Sequence, residues 1–314
     1  MALTLDQLNS TTTRYFNKKI RDSAYDKSAF WKTLKEDNNI KIKGGTQIQF
    51  PIWYQKLDQT TAVGFREQVE FTAKETVTGG VDEWRAYVTQ VMIPWDDNMM
   101  NRSVHEIVDQ TKAKSQEVQR DMIDKLSTDL FATTQGAKAI TMLSTMVDSA
   151  DDYAGIAVSD AANWAGKEDN AKTTLVMFGS GSLSYMVNQA TRGTDGPTLH
   201  ITTRDLWSKY ESILESQQRY EDKKMANLGF TTLTLKSKPV VADPFCTAKY
   251  WYGLDMTAFE FAIQEGHNMN YGDWMDLAIL GFPYAKAKIA DCVGNVVCHC
   301  RNTSFKMTVL DYTL

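Results

Sequence analysis

Four groupings in this 314-residue sequence carry side chains of the kinds that do chemistry. The first is Gly179-Ser180-Gly181-Ser182, which follows the apolar run TTLVMF and opens a predicted helix. A serine between strand and helix is the setting of a nucleophile elbow, where G-x-S-x-G spacing holds the hydroxyl on a strained turn. That spacing is missing, so Ser182 reads as a helix cap or part of a flexible turn. The second grouping is Cys292, Cys298 and Cys300 with His299. Zinc sites usually draw on paired C-x-x-C knuckles, whereas C-x-C inside a strand sends both thiols to one face and His299 to the other. Three ligands then cannot converge locally, and i to i+2 spacing makes a Cys298 to Cys300 bridge geometrically poor. Third, Asp96-Asp97 could act as paired carboxylates, but they sit where a strand leads into a helix N-terminus, a place where unsatisfied amides favour acids. Fourth, Asp148, Asp151 and Asp152 could attract a cation, yet they lack glycine and glutamate at calcium-loop spacing. The histidines at 105, 200, 267 and 299 form no i, i+4 pair, and neither a dinucleotide fingerprint nor a phosphate loop is present. No catalytic residue, metal or cofactor is expected, and the chain is not expected to be an enzyme.

The elements that would position such groups are dominated by residues 103 to 133. Val104, Val108, Thr111, Ser115, Val118, Met122, Leu126 and Leu130 recur every three or four residues, with charged and amide side chains on the opposite face. This spacing predicts an amphipathic helix. Ser103 and Glu106 form a capping-box pair, and Gly136 lies just past the end. About thirty residues at about 1.5 Å each make a rod of about 45 Å, long for a globular helix. One narrow apolar stripe on such a rod must lie across a sheet or another subunit.

Before it, residues 1 to 43 hold nine Lys or Arg, among them Arg14, Lys18 and Lys19, against five acids. This locally basic stretch reads either as a contacting arm or as a solvated helix over 14 to 35. Ile48, Phe50 and Ile52 alternate with polar residues and predict a strand, with DEWRAYVTQVMIPW as its expected partner. The intervening LDQTTAVGFREQVEFTAKETVTGG offers little that could form a core and reads as a long projecting hairpin. Exposed strand edges invite association, so such a hairpin suggests assembly, with an ordinary edge hairpin as the other reading. Eight Trp and thirteen Tyr exceed the needs of one core, and Trp53, Tyr54 and Trp84 fall in or near the hairpin. Beyond the long helix, two further helices, at about 180 to 192 and over RDLWSKYESILESQQRY, alternate with short strands through 228 to 263 and again from 284. That order predicts an α+β fold.

Composition bounds the partners. With 43% apolar residues the chain can bury a substantial core, and a net charge of about -5 with interspersed signs gives no cationic field for tight DNA binding. No run of eighteen apolar residues exists, and MALTLDQLNSTTT has no signal-peptide character. Cytosolic synthesis is expected.

The order of arm, hairpin, long helix and mixed α+β body resembles the major capsid proteins of tailed bacteriophages, the Hong Kong 97 phage fold. The most specific segments are GGTQIQFP, WRAYVTQVMIPWDDNMMN, TTRDLWSKYESILESQQRY with the following GFTTLTLKSKPVVADPFCTAKYWYGLD, and the closing IADCVGNVVCHCRN. The resemblance implies an N-terminal arm over 1 to 43 and an extended loop over 44 to 93 that lies on an adjacent subunit. It implies a peripheral domain with the spine helix over 94 to 150 and 285 to 314, and an axial domain over 151 to 284. Function then reduces to self-association into pentamers and hexamers of an icosahedral shell. Trp53, Tyr54, Phe65, Arg66, Phe71, Trp84, Arg14, Lys18 and Lys19 are the expected subunit-interface residues. Expected partners are a separate scaffolding protein, a portal, a possible decoration protein and weakly contacted double-stranded DNA, with no membrane and no large cleaved propeptide. Lys56 and Lys74 lie in the loop, but no cross-linking partner can be matched, so non-covalent assembly in a virion is expected. A bacterial encapsulin-type nanocompartment shell is the alternative within this fold; a hydrolase on Ser182 and a nucleic-acid-binding module lie outside it.

Overall fold

The computed structural model describes residues 28–53, 55–93, 104–161, 163–214, 233–277, 285–308 and 310–311, with the backbone alone at 93, 104–113 and 115. In chain order the elements are α1 (Ala29–Glu36), β1 (Ile40–Lys43), β2 (Ile48–Trp53), β3 (Val77–Asp82), β4 (Arg85–Ile93), α2 (Val104–Leu130) and α3 (Leu143–Met146). There follow β5 (Lys167–Asp169), α4 (Leu183–Ala190), β6 (Leu199–Thr202), α5 (Arg204–Leu214), β7 (Leu233–Leu235), β8 (Lys238–Ala242) and β9 (Trp251–Leu254). The last are β10 (Phe259–Gln264), β11 (Asn270–Tyr271), β12 (Met275–Asp276), β13 (Lys286–Cys298), a 3-10 turn at Arg301–Thr303 and β14 (Phe305–Met307).

Two six-stranded sheets organise these elements. In the first, β13 is the axis: β10, β11 and β12 pair along one edge and β4 along the other, all antiparallel, while β1 adds to β10 in parallel. The second runs β5-β14-β9-β6-β8-β7. A separate two-stranded ribbon joins β2 to β3.

The long helix forms as its stripe predicts, 27 residues or about 40 Å, and packs on the first sheet. Val118, Met122, Leu126 and Leu130 are buried, as are Ile123, Gln119 and Ser127. The buried Ser127 hydroxyl is satisfied by accepting the indole N–H of Trp31 at 3.1 Å. Through that bond the helix also holds α1, whose Phe30 and Trp31 make edge-on ring contacts with Phe259 and Phe261 of β10. The N-terminus of α1 is satisfied from a distance: Asp243 accepts from the Ser28 hydroxyl at 2.5 Å and the Ala29 amide at 3.1 Å. The expected cap at Ser103 lies outside the described residues.

One expectation is corrected. The partner of β2 is Val77–Asp82, in register from Ile48 opposite Asp82 to Trp53 opposite Val77. The DEWRAYVTQVMIPW segment instead supplies β4, which pairs over nine residues with β13. Its alternation is that of a half-buried strand against α2, and alternation alone does not name the partner. Strand pairing also crosses the division expected at 284 and 285. Strands β10 to β12 join the sheet beneath α2, and β14 joins the sheet that carries β6 and β9.

Candidate assembly surface

The surface is built on the β2 and β3 ribbon. Ile48, Phe50 and Ile52 are buried while Gln49, Pro51 and Trp53 face outward. Phe50 packs edge-on against His299 and near Tyr153, which anchors the ribbon to the body. The inner side chains lie so close to β3 that a Cβ at Gly80 would sit 2.7 Å from the Ile52 Cδ1 and 3.0 Å from the Phe50 ring, so a larger residue there would push those side chains aside. Further ties fix the root: the Val81 amide donates to the Ala154 carbonyl at 3.1 Å and the Thr141 hydroxyl to Asp82 at 3.1 Å. Burial holds the Asp82 carboxyl above its usual range, although hydrogen bonds from the Glu83 amide and Thr141 oppose this.

From this fixed root residues 55–76 extend without helix or strand, and nearly all of them are exposed. Phe65 is fully exposed and Phe71 is 96% exposed, with Leu57, Val63 and Val69 also open to solvent. Two aromatic rings left in water on one loop are what a docking segment shows before it docks. A turn at Gly64 to Glu67 is closed by the Glu67 amide on the Gly64 carbonyl and the Gly64 amide on the Glu67 carboxylate.

The expected interface residues separate on this geometry. Phe65, Arg66 and Phe71 stand together on the exposed loop, and Trp53 is 82% exposed at its root. Trp53, Lys56 and Leu57 line a cavity of about 370 Å³ with Asn163, Arg192 and Asn302. Trp84 is half-buried against its own core and donates its indole N–H to the Gly45 carbonyl at 3.0 Å. Tyr54, Arg14, Lys18 and Lys19 lie outside the described residues.

The candidate chemical groups are engaged structurally. Ser182 is the N-cap of α4: its oxygen accepts the Tyr185 amide at 3.2 Å and its hydroxyl donates to the Gly179 carbonyl at 2.7 Å. Cys292 and Cys298 are buried, and burial pushes both thiols up to about 12. His299 meets Glu260 at 3.2 Å rather than a cysteine partner. Asp148 contacts Lys306 and accepts the amides of Ala150 and Asp151. Among the described residues no group of three His, Cys, Asp or Glu could hold a metal ion. Asp96 and Asp97 lie outside the described residues.

No protein-family model matches the chain, and no curated protein matches its sequence. Solved structures do match its fold. The capsid asymmetric unit of cyanophage A-1(L) aligns with a TM-score of 0.58 at 14% identity, over 87% of this chain and 90% of that one. The capsid of an empty GTA particle aligns with a TM-score of 0.59 at 8% identity, over 88% and 89%. The chain has the fold of phage capsid proteins. The holo-SrpI encapsulin complex from Synechococcus elongatus PCC 7942 also aligns, with a TM-score of 0.52 at 9% identity, over 92% and 90%.

Sequence reasoning missed the buried charges that lock this capsid fold. Arg301 is fully buried, donates to the carbonyls of Thr145, Met146, Asp148 and Asp151, and lies over the rings of Tyr153 and Trp164. Lys306, also buried, contacts Asp148, Glu168 and the Ser144 carbonyl. Glu260 joins Lys41 and Lys43 of β1 to His299. A single arginine or lysine in an alternating stretch carries no mark of burial, because its partners are carbonyls and side chains over a hundred residues away.

Proposed function

We propose that this chain is the major capsid (head) protein of a tailed phage, self-assembling as pentamers and hexamers into the icosahedral shell around the genome. The observation that carries this reading is the rigidly rooted, solvent-exposed apolar loop on a capsid fold. Many copies of one such weak contact, closed by symmetry, make a stable shell. We assign the details to a Hong Kong 97-like arrangement, with residues 1–43 as the arm and the stretch beginning at 44 as the extended loop. In this reading α2 is the spine of a peripheral domain. Residues 94–150 and 285–314 form that domain in this reading, and residues 151–284 the axial domain. The interface residues are Trp53, Phe65, Arg66, Phe71 and Trp84, with Tyr54, Arg14, Lys18 and Lys19 contributed by neighbouring segments. The chain has no catalytic role in this account. A scaffolding protein and a portal act with it, and packaged DNA is contacted weakly.

The encapsulin likeness favours one second reading, a nanocompartment shell. Expressing the full chain, alone and with its neighbouring gene products, and imaging the product by negative stain tests the proposal. Shells, tubes or rings of five or six are expected. A stable monomer under both conditions would overturn the proposal. Protein cargo and no dependence on a packaging system would favour the second reading.

A further inference from the structure

The turn after α3 and the pairing of β14 with β5 bring an amine and two carboxylates together in the interior. Lys306 lies directly opposite Glu168 in the parallel pairing of the two strands, so their side chains share a face. Asp148, two residues past α3, is held at the start of β5. The Gly166 amide donates to its carbonyl at 3.1 Å, and a Cβ at Gly166 would collide with the Val147 carbonyl. Lys306 is 4% exposed and Asp148 9%. The Lys306 Nζ contacts Asp148 Oδ2, donates to the Ser144 carbonyl at 2.9 Å and stands 3.4 Å from Glu168 Oε1. The other Asp148 oxygen, Oδ1, accepts the amides of Ala150 at 2.7 Å and Asp151 at 2.9 Å. The Ser149 hydroxyl reaches Glu168 Oε2 at 3.4 Å. A buried ion pair gains attraction but bears the desolvation of both charges, a cost that a neutral bond between the same groups removes. Here a nucleophile touches the carboxyl group it could attack, a second carboxylate is placed to carry protons, and two amides point at the oxygen where charge would develop.

We propose that Lys306 and Asp148 of one chain condense into an isopeptide bond, with Glu168 as the proton carrier and the Ala150 and Asp151 amides as the oxyanion hole. The Lys306 ammonium first passes a proton to Asp148 Oδ2, leaving a neutral amine beside a carboxylic acid. The Nζ lone pair then attacks Asp148 Cγ, and negative charge moves onto Oδ1, where the two amides hold it. Glu168 takes a proton from the cationic Nζ and delivers it to the Oδ2 hydroxyl, which leaves as water while the double bond to Oδ1 re-forms. Glu168 is again a carboxylate, and the chain has lost one water. Burial raises the Asp148 carboxyl, but the Lys306 hydrogen bond and the Ala150 and Asp151 amides outweigh it and leave it lowered, so the first proton transfer is uphill and sets the rate. Holding the reacting atoms in contact offsets that barrier. The bond ties β14 to the turn after α3 across 158 residues of chain, a closure that acts chiefly on the unfolded state. It forms once per chain without turnover, does not depend on whether copies assemble, and leaves contacts between copies non-covalent.

Intact mass and peptide mapping of the full chain test this, on fresh protein and again after prolonged warming. The chain should be lighter than its sequence by one water, and its digest should contain a branched peptide joining Asp148 to Lys306. On a denaturing gel it should run ahead of the Lys306→Arg chain, which keeps the positive charge but not the nucleophilic amine. Glu168→Gln keeps the shape without the proton carrier. Both variants should show full mass and unlinked peptides while matching the original chain in circular dichroism. Full mass in the original chain after warming would overturn the proposal. So would a lost water with the two peptides unlinked, since the dehydration then lies elsewhere. An undiminished link in the Glu168→Gln chain would overturn the role given to Glu168.

Discussion

Replacing Glu260 by glutamine should release β1 from the first sheet at neutral pH. Glu260 is 4% exposed and sits between Lys43, Lys41 at 3.3 Å and His299 at 3.2 Å. Burial alone would raise its carboxyl, but hydrogen bonds from His299 and Lys43 and the nearby Lys43 charge bring it from 4.5 down to about 2. A depressed carboxylate contributes stability above its unfolded value, and that stability is lost as pH falls from about 4.5 toward about 2. The shift taken at face value corresponds to about 3 kcal/mol. Lys41 is 56% exposed and Lys43 27% exposed, so solvent screening reduces this to about 2 kcal/mol. For a chain of this length that is about 3 °C in Tm. The assay is urea unfolding of the unassembled chain at pH 7, 5, 4, 3 and 2.5, with hydrogen exchange read at Ile40–Lys43. The difference between the original chain and Glu260→Gln should be constant above pH 5 and shrink below 4.5. A difference that persists undiminished to pH 2.5, or no loss of protection in β1, would refute the reasoning.

Two further substitutions probe the interior. His200 is fully buried between Trp251 and Phe305 with neither ring nitrogen bonded to a described residue, and burial, followed by Lys238 and Lys236, holds it down to about 3. Its unfolded form binds a proton below about 6.5, so it weakens the fold as pH falls from there toward 3, and His200→Leu should flatten urea midpoints across that window. Arg301→Met should cost about 3 kcal/mol or more in urea unfolding, because four carbonyls lose their donor.

The sequence made the periodic elements legible and left their pairings open. Ile48, Phe50 and Ile52 announced β2, and the stripe from Val118 to Leu130 announced α2, because both bury one face at a fixed period. The pairing of β4 with β13 was not legible, since register is set by contacts about two hundred residues apart. Phe65, Arg66 and Phe71 could be placed on the surface because their segment had no core to join. Trp84, thirteen residues after Phe71, is half-buried against its own core, a difference that residue type alone does not show. The buried charges at Glu260, Arg301 and Lys306 gave no signal, as each is satisfied only by tertiary partners.

If the exposed loop drives assembly and is not part of the folding core, its removal should abolish particles and spare the fold. Sedimentation velocity of the full chain beside one in which a short glycine-serine turn replaces residues 57–75 measures this directly. The β2 and β3 root is retained, so the shortened chain should match the full chain in circular dichroism and in Tm when unassembled, yet sediment only as monomers where the full chain forms particles. Particles of the same size and yield from the shortened chain would contradict the account.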